Sequence, residues 1–405
     1  MVFRDTREHT DRFRALDGLR GMGALLVVLY HFQYPNHVTH VVFVKNGYLA
    51  VDLFFILSGF VLYARYSGVI KDALSLQRFL CLRFFRVYPL HFVMLLIFVA
   101  LELVKAIALH SGWVMAGQQM PFTGGKSYGA LIASVFLFQG LPIWSQPTWN
   151  FPSWSISCEF VAYLVFSLVV VTGIVRCKAF FAAGTTLATV SYCALAFARN
   201  TLDAVDWGLA RCLAGFFFGM LIFHFAAGAR GKQLLAQPTA VIGACEIAVV
   251  MAVVLTMSLV SGGAILTIVP LFIIAVVVLQ LDLGPIARIL MSVPIQLLGR
   301  ISYSIYMVHA FILLALSIGL KRIFRIPVIN DPVTQMPVFQ ISVWIGDALV
   351  VATVLVVLAT SAVTCTLIEE PARSFGRRFF ASSSGRNPGQ IRRRGERQAV
   401  ANANP

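Results

Sequence analysis

The segment RGMGALLVVLYH, residues 20–31, places two ionisable side chains in a run that otherwise suits the hydrocarbon core of a membrane. At roughly 100° and 1.5 Å per residue, Arg20 and His31 return to within about 20° of one helix face and lie about 16 Å apart. Charge inside a membrane helix usually marks function. We therefore predict that Arg20 near one membrane face and His31 near mid-depth line a path between a charged cytoplasmic ligand and a buried reaction centre.

The composition of the 405-residue chain indicates a membrane protein. Hydrophobic residues make up 59% and charged residues 12%, with a mean hydropathy of +0.83, whereas about a quarter of a soluble domain is charged. The net charge of +15 comes mainly from short segments between apolar runs and from the tail, which indicates positive-inside topology. The seven cysteines show no C-x-x-C or clustered ligand spacing, so we predict neither a disulfide framework nor a metal site.

Apolar runs predict an all-α polytopic fold with about ten transmembrane helices. The third helix is expected to begin at Tyr88-Pro89, where proline is tolerated in a first turn. Arginines between the second and third runs mark a cytoplasmic loop and hence a cytoplasmic amino terminus. The predicted spans are residues 17–34, 47–66, 87–109, 156–175, 179–198, 207–227, 240–260, 263–281, 301–320 and 341–368.

The spans divide the chain into three parts. Residues 1–16 form a charged cytoplasmic leader, residues 17–376 the membrane domain, and residues 377–405 a basic, disordered cytoplasmic tail. For the tail we expect contact with anionic membrane lipid and no nucleic-acid partner. The apolar piece 128–141 is short for a span and is typical of a re-entrant or interfacial segment.

His31 is the first candidate catalytic residue. Near neutral pH a histidine can take a proton from a hydroxyl group, and Arg20 on the same helix face adds a second costly charge. The alternative is a histidine that hydrogen-bonds between helices. The residues alone leave both interpretations open.

Arg83 and Arg86 form a candidate anion site. Three residues apart, they share a helix face at the cytoplasmic mouth of the third span. Two guanidinium forks on one face suit a phosphate group. Ordinary positive-inside anchoring explains the same pattern, and R-x-x-R is a common spacing.

Polar side chains in later spans are further candidates. Glu159 is predicted in the first turn of the fourth span, where the helix dipole favours an anion, and it could also orient His31 or hold sugar hydroxyls. Tyr303, Tyr306 and His309 form one stripe on the ninth span, which suits either helix packing or a substrate. The sequence assigns no partners to four other acids, Asp52, Glu102, Glu246 and Asp347.

Taken in order, these segments resemble the acyltransferase 3 family, integral membrane O-acyltransferases that modify bacterial surface glycans, nodulation factors and some macrolides. The family's basic-x10-His motif corresponds to Arg20 and His31, and its R-x-x-R motif to Arg83 and Arg86. The resemblance covers about residues 12–376. Three shorter motifs match Trp154, Ser155, Ser157 and Glu159; Ser302, Tyr303, Tyr306 and His309; and Glu369 and Pro371.

The resemblance implies a reaction and a set of roles. An acyl-CoA, most often acetyl-CoA, would enter from the cytoplasm as donor substrate, with no permanently bound cofactor and with its phosphates held by Arg83, Arg86 and Arg20. His31 would deprotonate the acceptor hydroxyl, which attacks the thioester directly or through an acyl carrier. Glu159 would complete the catalytic set. The expected positioning residues are Ser155, Tyr303, Tyr306 and His309.

The resemblance also implies partners and a location. The acceptor would be a glycan, a glycolipid or another hydroxyl compound, and the protein would lie in the bacterial inner membrane with both termini in the cytoplasm. Some family members carry a second, extracytoplasmic domain where this chain has an arginine-rich tail. A second transfer step is therefore expected to need a separate extracytoplasmic acyl-handling protein.

Two other classes of function fit parts of the sequence. A transporter of a glycolipid or small anion would line its path with the same charges. A membrane scaffold for polysaccharide assembly would tolerate replacement of His31 and the arginines. The absence of an inverted repeat and the complete motif order favour the enzyme.

Overall fold

The computed structural model describes residues 13–32, 34–112, 120–144, 146–202, 206–228, 233, 236–330 and 337–383. Nearly all of the described secondary structure is helical, which confirms the predicted all-α class. Two short strands, β1 (Val328–Asn330) and β2 (Pro337–Phe339), pair antiparallel with Val328 opposite Phe339.

The helices are numbered in chain order. They are α1 (Arg14–Tyr30), α2 (His37–His40), α3 (Val42–Lys45), α4 (Ala50–Tyr66), α5 (Ala73–His110), α6 (Tyr128–Val135), α7 (Trp154–Val171), α8 (Lys178–Arg199), α9 (Gly208–Ala227), α10 (Thr239–Leu259), α11 (Ile268–Leu279), α12 (Pro285–Leu290), α13 (Val293–Ile318), α14 (Val343–Thr364) and α15 (Glu370–Ser383). Short π-helical turns, Gly319–Ile323 and Cys365–Glu369, continue α13 and α14.

The helices agree with the predicted number of spans. Within the described residues, nine helical stretches of at least 18 residues are apolar enough to cross a membrane. Helix α1, with 17 residues, is about 25 Å long and supplies the tenth. The piece predicted as re-entrant or interfacial holds α6, whose eight residues extend only about 12 Å. Helix α6 therefore cannot cross a bilayer core by itself.

Helix α5 differs from the predicted third span. It begins at Ala73, 14 residues before the predicted start, and Asp72 and Ser75 form a capping box at its N-terminus. Hydrogen bonds from Ser75 lower the pKa of the Asp72 carboxyl. Arg83 and Arg86 both lie on this helix, and Pro89 lies in the helix interior rather than in a first turn. A capped, arginine-rich extension continues the apolar span.

The two ends of the chain are described in part. Residues 1–12 of the predicted leader lie outside the described residues, and α1 begins at Arg14. Helix α15 continues to Ser383, so residues 377–383 of the predicted tail are helical. The remainder of the tail, 384–405, lies outside the described residues.

A buried ion pair and close packing join α4 to α9. Arg211 donates to both carboxylate oxygens of Asp52, at 3.1 and 2.6 Å, and Tyr192 donates to one of them at 3.0 Å. The Asp52 side chain is fully buried. Gly59 and Gly219 allow the two helix backbones to touch, because a Cβ at either position would overlap a carbonyl oxygen of the other helix. These contacts hold α4 against one side of the candidate site.

The other three intramembrane acids also have partners. Lys126 donates to Glu102 at 2.7 Å. The backbone N–H groups of Gly284 and Ala287, at the start of α12, donate to Glu246. Asp347 accepts from both the ring and the backbone N–H of His37. These three carboxylates and that of Asp52 thus have contacts that fix neighbouring segments. None of the four lines the cavity described below.

Candidate active site

The close crossing of α1 and α13 brings the predicted site residues together. Gly21 on α1 packs against the backbone of Leu298 and Gly299 on α13, and Gly299 faces the carbonyl of Asp17. Small residues at a crossing let helix backbones approach closely. The helix that carries Arg20 and His31 therefore lies directly against the helix that carries the tyrosine and histidine stripe.

A cavity of about 250 Å³ lies beside this crossing. Six of the predicted site residues line it: Arg20, Arg86, Ser155, Glu159, Tyr303 and Tyr306. Polar residues that the sequence analysis did not assign to the site also line it: Asp17, Ser58, Tyr163, Arg300, Ser302 and Arg373. Helices α1, α4, α5, α7, α13 and α15 thus all contribute polar side chains to the cavity wall.

Arginines and carboxylates are concentrated at the end of the cavity near Arg300. Asp17 pairs with Arg20 at 3.6 Å, and Glu370 pairs with Arg300 at 2.6 Å. Glu369 accepts from Arg373 and from Ser304 on α13. Four arginines but only two carboxylates, Asp17 and Glu159, line the cavity itself. Glu370 and Glu369 pair with Arg300 and Arg373 from outside the lining, so the charges of the whole group balance.

Glu159 lies in the middle of this charged group. Helix α7 begins at Trp154, after a 3₁₀ turn, so Glu159 falls in the second turn and not in the first as predicted. The dipole effect is confined to the first turn, and local side chains dominate instead. Ser58 donates to Glu159, while Arg20 and Arg86 interact with it electrostatically.

His31 directly follows the last residue of α1, at the C-terminal end of the helix. The helix ends at Tyr30 because the N–H groups of His31 and Phe32 close a tighter turn, and Pro35 follows. The Nδ1 atom of His31 lies 2.8 Å from the Val27 carbonyl oxygen. His31 is not among the residues that line the cavity.

His31 is linked to the cavity by a chain of rings. The His31 ring centroid lies 4.6 Å from that of Phe151 and 5.2 Å from that of His309. His309 in turn lies 5.9 Å from Tyr306, which lines the cavity. The Tyr306 hydroxyl is fixed by Ser155 at 2.7 Å and by the Pro152 carbonyl at 3.0 Å.

Tyr303 and Arg83 have different surroundings. The Tyr303 hydroxyl donates to the Val87 carbonyl, so this side chain lines the cavity and also ties α13 to α5. Arg83 is buried outside the cavity lining. It donates to the Tyr66 hydroxyl at 2.7 Å and lies over the rings of Tyr66 and Phe79. Arg86 lines the cavity and Arg83 does not, although both interact electrostatically with Tyr163.

The described residues include no group of three or more His, Cys, Asp or Glu side chains that could hold a metal ion. The family model described as an acyltransferase domain matches residues 13–365. The chain belongs to the acyltransferase 3 family. It is thus a multi-pass membrane acyltransferase.

Several curated relatives of this acyltransferase also match. BcsY of Komagataeibacter xylinus, named as a candidate membrane-bound transacylase, is 26% identical over 306 residues, which are 74% of this chain and 72% of BcsY. Acyltransferase MdmB of Streptomyces mycarofaciens is 33% identical over 171 residues, 39% of each chain. Peptidoglycan O-acetyltransferase OatA of Listeria monocytogenes is 30% identical over 100 residues, 24% of this chain and 15% of OatA. No solved structure matches the acyltransferase significantly.

Several residues in and beside the acyltransferase cavity are recognisable from local spacing in the sequence. Glu369 and Arg373 are four residues apart, the spacing of a helical ion pair. Arg300 directly precedes the tyrosine stripe on α13. Asp17 lies three residues before Arg20. Tyr163 lies four residues after Glu159 on α7, again the spacing of neighbours on one helix face. Ser58 had no such signal, because its contact with Glu159 depends on how α4 and α7 pack.

Proposed function

We propose that the protein is an O-acyltransferase that moves an acyl group, most simply acetyl, from acyl-CoA to a hydroxyl of a glycan or glycolipid. The observation that carries this proposal is the cavity lined by four arginines near Arg300 and by Tyr306, with the His309 and His31 rings beyond Tyr306. The name of OatA, a peptidoglycan O-acetyltransferase, supports acetyl transfer to a glycan.

The arginine end suits the phosphates of acyl-CoA. Arg86 and Arg20 line the cavity, and guanidinium groups bind phosphate through paired, charge-assisted hydrogen bonds. Arg83 is already bonded to Tyr66. We therefore assign phosphate contact to Arg86 and Arg20, with Arg83 as support for the neighbouring α4 and α5 segments.

His31 is proposed as the general base. A carbonyl oxygen only accepts hydrogen bonds, so the contact with Val27 favours a proton on Nδ1, and Nε2 would be the nitrogen that receives the proton of the acceptor hydroxyl. The acceptor hydroxyl gives its proton to Nε2 while its oxygen attacks the thioester carbonyl. The carbon–sulfur bond then breaks, and the CoA thiolate takes the proton from His31. Glu159 would act on the donor side, beside Arg20 and Arg86.

The proposed topology places the donor on the cytoplasmic side. Helix α1 would run from the cytoplasm outward, so Arg20 lies nearer the cytoplasm than His31. Ten spans would leave both termini in the cytoplasm of a bacterial cell. An acceptor on the outer side could approach His31 from the opposite direction, and a separate extracytoplasmic protein could take the acyl group onward.

The test is transfer of radiolabelled acetyl from acetyl-CoA into the glycan and lipid fractions of membranes. We expect incorporation with the wild type and a loss of at least about a hundredfold with His31→Ala, since general-base catalysis contributes roughly 10²–10⁴-fold. His40→Ala is the matched control, because His40 is exposed on α2. Full activity of a well-folded His31→Ala protein would refute the assigned base.

The same assay separates the enzyme from the transporter considered above. A transporter would bind no acetyl-CoA and form no labelled ester. Membership of an acyltransferase family favours the enzyme.

A further inference from the structure

The cavity beside the crossing of α1 and α13 is charged at one end and apolar at the other. On α13, Arg300 lines the charged end, and Tyr306 lines the cavity about 9 Å further along the helix axis. The other helices divide in the same direction. Ser58 donates to Glu159 on the charged side, whereas Phe54, one turn earlier on α4, packs edge-on against Tyr306 with ring centroids 6.2 Å apart. The side chains that line the apolar end are Val51, Phe54, Phe55, Ser155, Ile156 and Tyr306.

The two hydroxyl groups of the apolar end are already hydrogen-bonded within the protein. The hydroxyl oxygens of Ser155 and Tyr306 lie 2.7 Å apart, and they lie 3.1 and 3.0 Å from the Pro152 carbonyl oxygen. One hydroxyl can donate to this carbonyl while the other donates to its neighbour, so both protons have an acceptor inside the group. The apolar end therefore offers a hydrocarbon surface and few hydrogen-bond donors to a ligand.

The aromatic wall of the apolar end is held by close packing behind it. Phe55 is 3% exposed, and its ring centroid lies 6.2 Å from that of Trp154. A Cβ at Gly215 on α9 would lie 3.0 Å from the Cβ of Phe55, and a Cβ at Gly23 on α1 would lie 2.8 Å from the Phe54 ring. Because the neighbouring helices approach this closely, the two phenylalanines cannot move back without displacing them. The apolar end therefore has a fixed size.

We propose that the apolar end binds the acyl group of the donor and restricts it to short chains such as acetyl and propionyl. The inference rests on the proposed function and deepens it, because it names the class of acyl group. The donor phosphates would lie at the arginines and the acyl group beside Tyr306, on the side of the cavity nearer the His309 ring, whose centroid is 5.9 Å from that of Tyr306. Val51 and Ile156 are then the residues that set the permitted chain length.

The acyl group suits this end better than the acceptor or the remainder of the donor does. Sugar hydroxyls and the amides of the pantetheine arm need hydrogen bonds, and burial without them costs free energy. The polar side chains that can provide such bonds, including Ser58, Glu159 and Arg300, lie at the charged end. An acyl chain needs no such partner and gains from burial of its methyl and methylene groups against Val51 and Ile156.

The test compares acyl transfer from acetyl-CoA and from hexanoyl-CoA by the full-length protein in membranes. We expect the wild type to use hexanoyl-CoA at least about a hundredfold less efficiently, as kcat/KM, because one methylene in an apolar pocket changes this ratio by roughly tenfold or more. Val51→Ala and Ile156→Ala remove methyl groups from the α4 wall and the α7 wall. Each variant should raise the hexanoyl-to-acetyl ratio of kcat/KM at least about tenfold.

The matched control is Val170→Ala. Val170 is also a buried valine, but it lies further along α7 and is not among the residues that line the cavity. This variant should keep the hexanoyl-to-acetyl ratio within about twofold of the wild type. Equal use of the two donors by the wild type, or an unchanged ratio in both Val51→Ala and Ile156→Ala, would overturn the inference.

A second measurement needs neither a variant nor turnover. Calorimetric titration of wild-type protein in detergent should show that acetyl-CoA binds at least about tenfold more tightly than hexanoyl-CoA. Equal or tighter binding of hexanoyl-CoA would contradict the inference even if the variants fail to fold. Preferential binding of acetyl-CoA without transfer from either donor would refute the proposed function and leave the acyl pocket in place. Absence of both binding and transfer would refute both.

Discussion

At the scale of single residues, replacing Arg86 should impair donor binding, whereas replacing Arg83 should lower stability. Arg86 lines the cavity, and its loss removes a charge-assisted hydrogen bond worth about 1.5–3 kcal/mol. Arg86→Ala should therefore raise the KM for acyl-CoA about tenfold to a hundredfold, with the amount of folded protein unchanged. Steady-state kinetics in purified membranes, at matched protein levels, would measure this change.

Arg83→Ala should instead lower stability. The substitution leaves the Tyr66 hydroxyl without its partner and removes the cation above the Tyr66 and Phe79 rings. We expect a lower unfolding temperature in detergent and a KM for acyl-CoA within about twofold of wild type in the folded fraction. A KM increase as large as that of Arg86→Ala would show that Arg83 contacts the donor.

The sequence could not separate these two arginines. A spacing of three places them about 60° apart on a helix, which is compatible with one shared site or with two. Arg83 donates to Tyr66 from α4, and both arginines interact electrostatically with Tyr163 from α7, so their roles depend on how these helices pack. Glu159 illustrates the same limit, since Ser58 reaches it from 101 residues earlier. Residue types and local spacing were predictable, whereas long-range partners were not.

At the scale of helices, the crossing of α4 and α9 should not accept a methyl group. A Cβ at Gly59 would overlap the carbonyl oxygen of Phe216, and a backbone atom cannot rotate away. Gly59→Ala should destabilise the protein by about 1–3 kcal/mol or more. Thermal unfolding in detergent would measure the loss. Gly68→Ala is the control, because open space surrounds that position. Equal unfolding temperatures of the Gly59→Ala and Gly68→Ala proteins would contradict the expectation.

The ion pair across the same helices gives a second prediction. Asp52→Asn removes the charge that balances Arg211 in a fully buried setting, which typically costs about 3–5 kcal/mol. Replacing both residues, as Asp52→Leu with Arg211→Met, should recover part of that loss because no unpaired charge remains. Unfolding temperatures of the single and double variants would show whether stability is recovered. A double variant less stable than Asp52→Asn would argue against an unpaired charge as the cause.

The helices themselves were predictable where hydropathy alone decides. Each of the ten predicted apolar runs is helical in the structure. A segment in hydrocarbon must form its backbone hydrogen bonds within itself, which favours a helix. The predicted start of α5, at residue 87, was wrong because the arginines before that residue were interpreted as part of a loop. Asp72 and Ser75 carried the cap signal in the sequence. The early end of α1 depends on the turn after Tyr30, which hydropathy does not report.

At the scale of the whole molecule, the site is a product of helix packing. Arg20, Glu159 and Tyr306 come from three helices spread over 287 residues of sequence (306 − 20 + 1), and one cavity of about 250 Å³ receives all three. Their residue types suggested chemistry in advance. Their meeting required the glycine crossing of α1 and α13, whose partners only the fold defines.

Whole-molecule orientation decides whether the donor proposal can hold. With all seven native cysteines replaced, Lys71→Cys lies in the exposed turn between α4 and α5, and Val41→Cys is exposed between α2 and α3. One membrane helix, α4, separates the two positions, so they must lie on opposite sides. We expect a membrane-impermeant maleimide to label Val41→Cys in intact cells and Lys71→Cys only after the membrane is opened. The reverse pattern would place the end of the cavity near Arg300 outside, where cytoplasmic acyl-CoA cannot reach it, and the donor proposal would fall with the topology.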